Sequence, residues 1–237
     1  MKILLTGCIA MVLVAVFSTI VHCSDTGVDR NEKTRTHWGK ARVQGVLIVP
    51  LGDNHVEGWN ICDPGWFDFL NFYSTIDAKT AGGAIASFEY VIKRRYGFEI
   101  SLAYWNNIID IYFEATGITI KGSPNFIMPI LGLNYHILTD AHKDIYGGPI
   151  CCLGVVATGL GTDIDVSKDI ALGLKIGLDY YIKKSWSLGT SLHYIDFGEM
   201  DFSVLPPGIE GIVCNNGLFG IGSMNFMSVT IGVGYRF

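Results

Sequence analysis

Met227-Ser-Val-Thr-Ile-Gly-Val-Gly-Tyr-Arg-Phe237 is the stretch whose reading decides the fold. Its odd positions are Met227, Val229, Ile231, Val233, Tyr235 and Phe237. Its even positions are Ser228, Thr230, Gly232, Gly234 and Arg236. This period of two makes one face apolar and the other small or polar. The length suits one tilted bilayer crossing by a β-strand, which takes roughly 9–11 residues. Tyr235 and Phe237 end the apolar face, where a membrane strand meets the interface. A soluble sandwich also contains alternating strands, so the rest of the chain must discriminate.

Seven more segments carry the pattern. Strands are expected over about 38–50, 83–92, 96–105 (with a possible continuation to 113), 125–138, 146–158, 169–182 and 186–196. The segment 169–182 is the cleanest. Ile170, Leu172, Leu174, Ile176, Leu178, Tyr180 and Ile182 oppose Ala171, Gly173, Lys175, Gly177, Asp179 and Tyr181. The segment 146–158 is apolar on both faces, so its phase stays open. The connections alternate. Residues 51–81, 114–123, 159–168 and 203–225 read as longer loops, and 93–95, 139–144 and 183–185 as short turns. Short turns on the periplasmic side and longer loops outside are the asymmetry of an outer-membrane barrel. Tyr90, Tyr96, Tyr135, Tyr180, Trp186, Tyr235 and Phe237 share the lipid-facing parity at the turn ends of their strands. They predict an aromatic girdle at one interface. A soluble, lipocalin-like barrel would turn this apolar face inward and has no use for such a ring. The expected fold is all-β: an eight-stranded antiparallel transmembrane barrel, an up-and-down meander.

Composition agrees. The chain has 237 residues, 29 of them glycine, and a net charge of −5. Mean hydropathy is +0.35, yet no apolar run after residue 23 reaches the roughly 18–20 residues of a spanning helix. No basic block supports nucleic-acid binding. Met1-Lys2, the apolar run Ile3 to Val21 and polar sequence from Ser24 read as a signal peptide over 1–23, with the barrel domain over 24–237. Export places the chain in an oxidising compartment.

Gly177-Leu-Asp-Tyr-Tyr-Ile182, Trp186, Leu192-His-Tyr-Ile-Asp196 and Gly232-Val-Gly-Tyr-Arg-Phe237 resemble the C-terminal half of the OmpW family of outer-membrane proteins. The resemblance is good over about 169–237 and loose over 38–160. It implies an eight-stranded barrel in the outer membrane of a Gram-negative bacterium. It also implies a narrow, apolar-lined lumen and passage of small hydrophobic molecules; some members serve as bacteriocin receptors. The chain departs from the family in its first long loop and its four mature cysteines. The family's apolar gate residues are not assigned to positions here, since the first half does not align residue by residue.

Lumen parity collects Arg42, Gln44, Glu89, Glu99, Trp105, Asn134, His136, Lys175, Asp179, His193 and Arg236. They form either a stabilising plug of ion pairs or a selectivity constriction. A three-residue turn at 93–95 would set Glu89 opposite Glu99. Like charges there repel, so Arg42, Arg236 or Lys175 should lie between them. Most of these charges sit near short turns, whereas Ala103, Trp105, Ala171 and Gly173 line the outer half. That arrangement predicts an apolar outer funnel above a polar floor, with sideways release of hydrophobic solutes. A non-conducting structural or receptor barrel is the alternative. Ser191 and His193 share a face, but Asp196 has the opposite parity, so no catalytic triad is expected. The histidines are scattered, and neither a metal nor a cofactor is expected. Cys151 and Cys152 should point to opposite faces. The expected partners are outer-membrane lipids, small hydrophobic solutes and the barrel assembly machinery, which would read the strand ending in Phe237.

Cys62 and Cys214 fall in the first and last outer loops, which barrel closure brings together, and a disulfide between them is expected. Thiol labelling of non-reduced protein should then miss both residues. Labelling of both would remove the pairing.

Overall fold

The computed structural model describes residues 37–51, 54–61, 72–113, 117–140, 142–158, 164–204 and 218–237. The expected signal peptide, Cys62 and Cys214 lie outside the described residues. The strands are β1 (His37–Leu51), β2 (Asn54–Ile61), β3 (Phe72–Ala78), β4 (Ala81–Ile92), β5 (Tyr96–Asn106) and β6 (Ile109–Phe113). They continue with β7 (Ile118–Gly122), β8 (Asn125–Thr139), β9 (Lys143–Thr158), β10 (Ile164–Tyr181), β11 (Trp186–Val204) and β12 (Leu218–Arg236). All pairings are antiparallel. β1, β4, β5, β8, β9, β10, β11 and β12 follow in order, and β12 returns to β1, closing an eight-strand barrel.

The other four strands prolong this wall. β2 continues the line of β1, β3 leads into β4, β6 continues β5, and β7 leads into β8. Among the described residues the breaks fall at 79–80, 107–108 and 123–124. Two of the breaks are bridged: Lys79 N–H donates to the Ile108 carbonyl (2.9 Å) and Asn107 N–H to the Pro124 carbonyl (3.1 Å). The expected loops are corrected accordingly. Segment 51–81 holds β2 and β3, 114–123 holds β7, and β10 starts at Ile164 inside 159–168. β11 runs to Val204 and β12 starts at Leu218, at the two ends of 203–225. Beyond the lipid, the outward face no longer has to be apolar. The two-residue alternation that marks a membrane strand therefore fades there, although the backbone ladder goes on.

Within the membrane the alternation governs everything. Ile170, Leu172, Leu174, Ile176 and Tyr180 are exposed to the outside, while Ala171, Lys175, Asp179 and Tyr181 are buried in the lumen. The phase of β9 is now set: Asp144, Tyr146, Ile150 and Cys152 face inward, and Pro149, Cys151 and Leu153 lie on the other face. Cys151 and Cys152 are both free thiols. At the turn end, Tyr90, Tyr96, Tyr135, Tyr180 and Trp186 are exposed, and Tyr235 and Phe237 are half-buried. Neighbouring rings meet edge-on, Tyr96 with Tyr135 at 5.8 Å and Trp186 with Tyr235 at 5.1 Å. Tyr104 and Tyr194, each eight residues along the strand from Tyr96 and Trp186, mark the opposite rim. Outward-facing Asn106 and Asp196 follow directly above them. Two outward aromatics thus stand at the far end of the apolar band from the girdle residues. Eight residues of tilted strand span roughly 20 Å, close to the apolar band of such barrels.

The short turns carry their own chemistry. Lys93 (φ 52°) and Arg94 (φ 61°) take the left-handed backbone that a tight hairpin needs. In the next turn, the Asp140 carboxylate accepts the backbone N–H groups of His142 and Lys143, both at 2.7 Å. These bonds hold that carboxyl below its usual range.

If the short turns are periplasmic, protease added to intact cells should cut only within 51–81, 114–123, 159–168 or 203–225. Cleavage at Lys93–Arg95 or Lys183–Lys184 in intact cells would reverse the orientation.

Candidate functional site

The lumen is divided along its length. Its lower half, near the short turns, is polar. Glu89 on β4 and Glu99 on β5 lie directly opposite each other. Arg42 on β1 reaches between them, with Nη2 2.6 Å from Glu89 and Nη1 3.3 Å from Glu99. The same guanidinium meets Asp179 on β10 at 3.1 Å. Lys175 on β10 grips Glu99 from the other side at 2.7 Å. Lys40, one inward position below Arg42, links Asp144 (2.5 Å) and Asp179 (2.9 Å). His136 on β8 lies between Asp144 (2.7 Å) and Glu89 (3.2 Å). The Asn134 amide donates to both glutamates.

Three cations, four carboxylates and an imidazole are thus joined across β1, β4, β5, β8, β9 and β10. The ring of Tyr146 packs among the cations, with Arg42, Lys175 and Lys40 at 4.6, 5.2 and 5.5 Å from its centroid. Gly177 on the neighbouring strand makes room for that ring, because a Cβ there would run into it. Lys40, Glu89, Asp144 and Asp179 have no exposure to solvent. Together these side chains close the barrel's floor.

Above the floor lies a second polar group. Ser191 Oγ is 2.9 Å from His193 Nε2 and 2.6 Å from Thr230 Oγ1. Asp196 faces outward and accepts the Gly198 N–H at 2.8 Å. It does not orient the imidazole.

The outer half is apolar. Val46, Ile48, Ile85, Ala103, Trp105, Met128, Ile130, Ile195, Phe197 and Phe226 surround a cavity that also touches His193 and Ser228. Trp105 stacks on Phe126 with centroids 4.9 Å apart, and Phe226 meets Phe197 edge-on at 5.3 Å. The open space has room for about one water molecule at most. The outer half is a packed apolar plug and not the open funnel expected. The apolar cluster continues upward through Ile76, Ile109, Ile111 and Ile120 in the wall extension.

Arg42, Glu89, Glu99, His136, Lys175 and Asp179 are therefore brought together in the floor. Trp105 and His193 line the cavity. Arg236 is placed elsewhere, at the turn-end rim over the Tyr181 ring (4.3 Å), where it donates to the Lys184 carbonyl. Lys40, Asp144 and Tyr146 are central and were not singled out in the sequence. Lys40 shares the parity of Arg42 two residues earlier. Asp144 shares the parity of Tyr146, in the strand whose phase was open.

A closed wall with an apolar belt and an ionic interior defines a transmembrane β-barrel. No family model and no curated protein matches the chain. Among solved structures, the outer-membrane protein OprG from Pseudomonas aeruginosa is similar at a TM-score of 0.66 and 15% identity. That match covers 86% of this chain and 97% of OprG. The outer-membrane protein AlkL, solved in DMPC lipid bilayers, gives 0.48 at 15% identity over 90% and 96% of the two chains. Neisserial surface protein A gives 0.48 at 13% identity over 85% and 97%. The likeness to OprG shows the fold: the chain is built as a closed eight-strand antiparallel barrel, the architecture of that outer-membrane protein and the one expected from the sequence.

Arg42→Met leaves Glu89, Glu99 and Asp179 short of a shared cation. The barrel should lose about 3–5 kcal/mol, the usual cost of stranding one side of a buried ion pair. Urea unfolding of the refolded barrel in lipid measures this. Lys183→Met in the exposed turn, as control, should stay within about 0.5 kcal/mol of wild type.

Proposed function

We propose that this barrel admits small, mainly apolar molecules into the outer half of its lumen and releases them sideways into the outer membrane. The observation that carries this reading is the change of character along the interior. A solute from outside meets apolar side chains, from Ile109 and Ile111 down to Trp105, Phe126, Phe197 and Phe226, before it reaches the ionic floor. Passing the floor would separate buried ion pairs. Moving into lipid costs no such rupture, and an apolar solute gains roughly 25 cal/mol per Å² on leaving water. The β8–β9 seam suits the exit. Its register breaks between Ile127 and Ile130, where Pro129 faces outward and has no N–H to give to a ladder. Pro149 faces outward on β9, and Gly154 (φ 87°) kinks the same strand.

A second reading, a non-conducting structural or receptor barrel, is favoured by the tightness of the cavity. On either reading the apolar belt contacts membrane lipid, the barrel assembly machinery takes up the strand ending in Phe237, and nucleic acid plays no part. We assign no catalytic step, since the Ser191–His193 pair lacks an orienting acid.

Deleting the protein should slow cellular uptake of a hydrophobic probe and leave uptake of small sugars unchanged. Uptake of both probes at the wild-type rate, with silent single-channel recordings of refolded protein, selects the second reading.

A further inference from the structure

The rim at the short turns is basic, and its charges are unmatched. Lys93, Arg94 and Arg95 form the β4–β5 turn, Lys143 opens β9, and Lys183 and Lys184 lie in the β10–β11 turn; all six are exposed. Among the described residues none of the six enters an ion pair. Asp140 is the one exposed acidic side chain in the three turns, and its carboxylate accepts the backbone N–H groups of His142 and Lys143. The opposite end of the barrel differs. There Lys79 pairs with Asp77, and Lys121 lies 3.7 Å from Asp110.

The β4–β5 turn keeps its cations against its own backbone preference. Among the described residues, Lys93 (φ 52°) and Arg94 (φ 61°) are the only ones besides glycine in the left-handed region. A tight hairpin with two such residues favours Asn-Gly, because a Cβ is strained there. Backbone outliers of this kind cluster at functional positions. The turn is also tied to its neighbour: the Arg95 carbonyl accepts the His136 N–H of β8 at 2.7 Å.

We propose that Lys93, Arg94, Arg95 and Lys143 bind the phosphate headgroups of anionic phospholipids in the leaflet that meets the short turns. Their position selects lipid. Lys143 lies directly across from Tyr180 of the girdle, on the outward face. Arg95 precedes Tyr96, whose ring meets Tyr135 at 5.8 Å. The hairpin and Lys143 flank the end of β8, two strand spacings or roughly 10 Å apart. Girdle aromatics sit at headgroup depth. A long basic side chain at that depth lays its stem along apolar surface and holds its charge at the level of the phosphates. The two guanidinium groups add paired N–H donors that match phosphate oxygens. This inference concerns the outer wall and stands apart from the transport reading, since it holds whether or not the lumen admits a solute.

The test uses the full barrel in phosphatidylcholine vesicles doped with spin-labelled phosphatidylglycerol or spin-labelled phosphatidylcholine. The motionally restricted part of the electron spin resonance spectrum measures labelled lipid held at the wall. At low salt phosphatidylglycerol should be preferred about fivefold, the usual gain for one basic residue at an anionic surface, and high salt should shrink this preference. Lys93→Asn with Arg94→Gly installs the pair that the turn favours, so urea unfolding should show stability at or above wild type, while the lipid preference falls to about twofold. Adding Arg95→Gln and Lys143→Gln should bring it near unity. Lys183→Gln with Lys184→Gln removes as much charge as the first pair and should leave the preference nearly unchanged. Equal association of both lipids with wild type, or a preference that survives the fourfold variant, overturns the proposal. An equal loss from the Lys183 and Lys184 pair overturns it as well, by showing a diffuse field in place of a site. Displacement of the labelled phosphatidylglycerol by glycerophosphate at constant ionic strength also sinks it, by assigning the turns to a soluble anion.

Discussion

Hydrocarbon offers no partner to a backbone N–H or carbonyl, and the whole molecule follows from that constraint. The ladder must close on itself, which it does where β12 returns to β1 from Lys40↔Arg236 to Leu51↔Asn225. Once the wall is closed, each strand has one face toward lipid and one toward the lumen. An apolar exterior and a polar or small interior are then forced by the two-residue period. Above the membrane the ladder goes on from β12 through β2, β3 and β6 to β7, without an apolar exterior.

The lumen of an eight-strand barrel is narrow enough for side chains to fill it, and this one is filled in two ways. Below, charges on six strands are buried together, each ion meeting an opposite charge within hydrogen-bond range. Their desolvation is offset only because the set is shared: Arg42 alone serves three carboxylates. Above, Trp105 and its neighbours pack apolar side chains across the lumen. The boundary between the two regions, near His193 and Ser228, separates a part of the lumen that resists passage from a part compatible with apolar guests.

Most of the fold was legible because the membrane imposes a strict pattern on strands that cross it. The hairpin at 93–95 placed Glu89 against Glu99 and required a cation between them, which Arg42 supplies. The pattern went silent where the constraint did. The Asn- and Asp-containing strands above the lipid read as loops, since water satisfies either face. Strand β9 was ambiguous because Pro149, Cys151 and Leu153 face outward while Ile150 and Cys152 pack inside. That ambiguity hid Asp144 and Tyr146. Arg236 has lumen parity but sits at the strand's end, where its long side chain bends to the rim. The density of the outer plug depends on how wide side chains from opposite walls meet across the lumen, which parity does not encode.

The position of Lys40 and Arg42 on the first strand gives the barrel a chronology. Their carboxylate partners Asp144 and Asp179 lie on β9 and β10, more than a hundred residues further along the chain. Arg42 has Glu89 and Glu99 on β4 and β5, but until β9 and β10 have been laid down and the sheet has curled round, Lys40 must keep its hydration. Desolvating it before then would cost several kcal/mol with nothing in return. Seam closure and the drying of the floor are therefore one late event. A partly inserted sheet stays wet along its inner face, and the finished barrel is sealed by the same strand that began it.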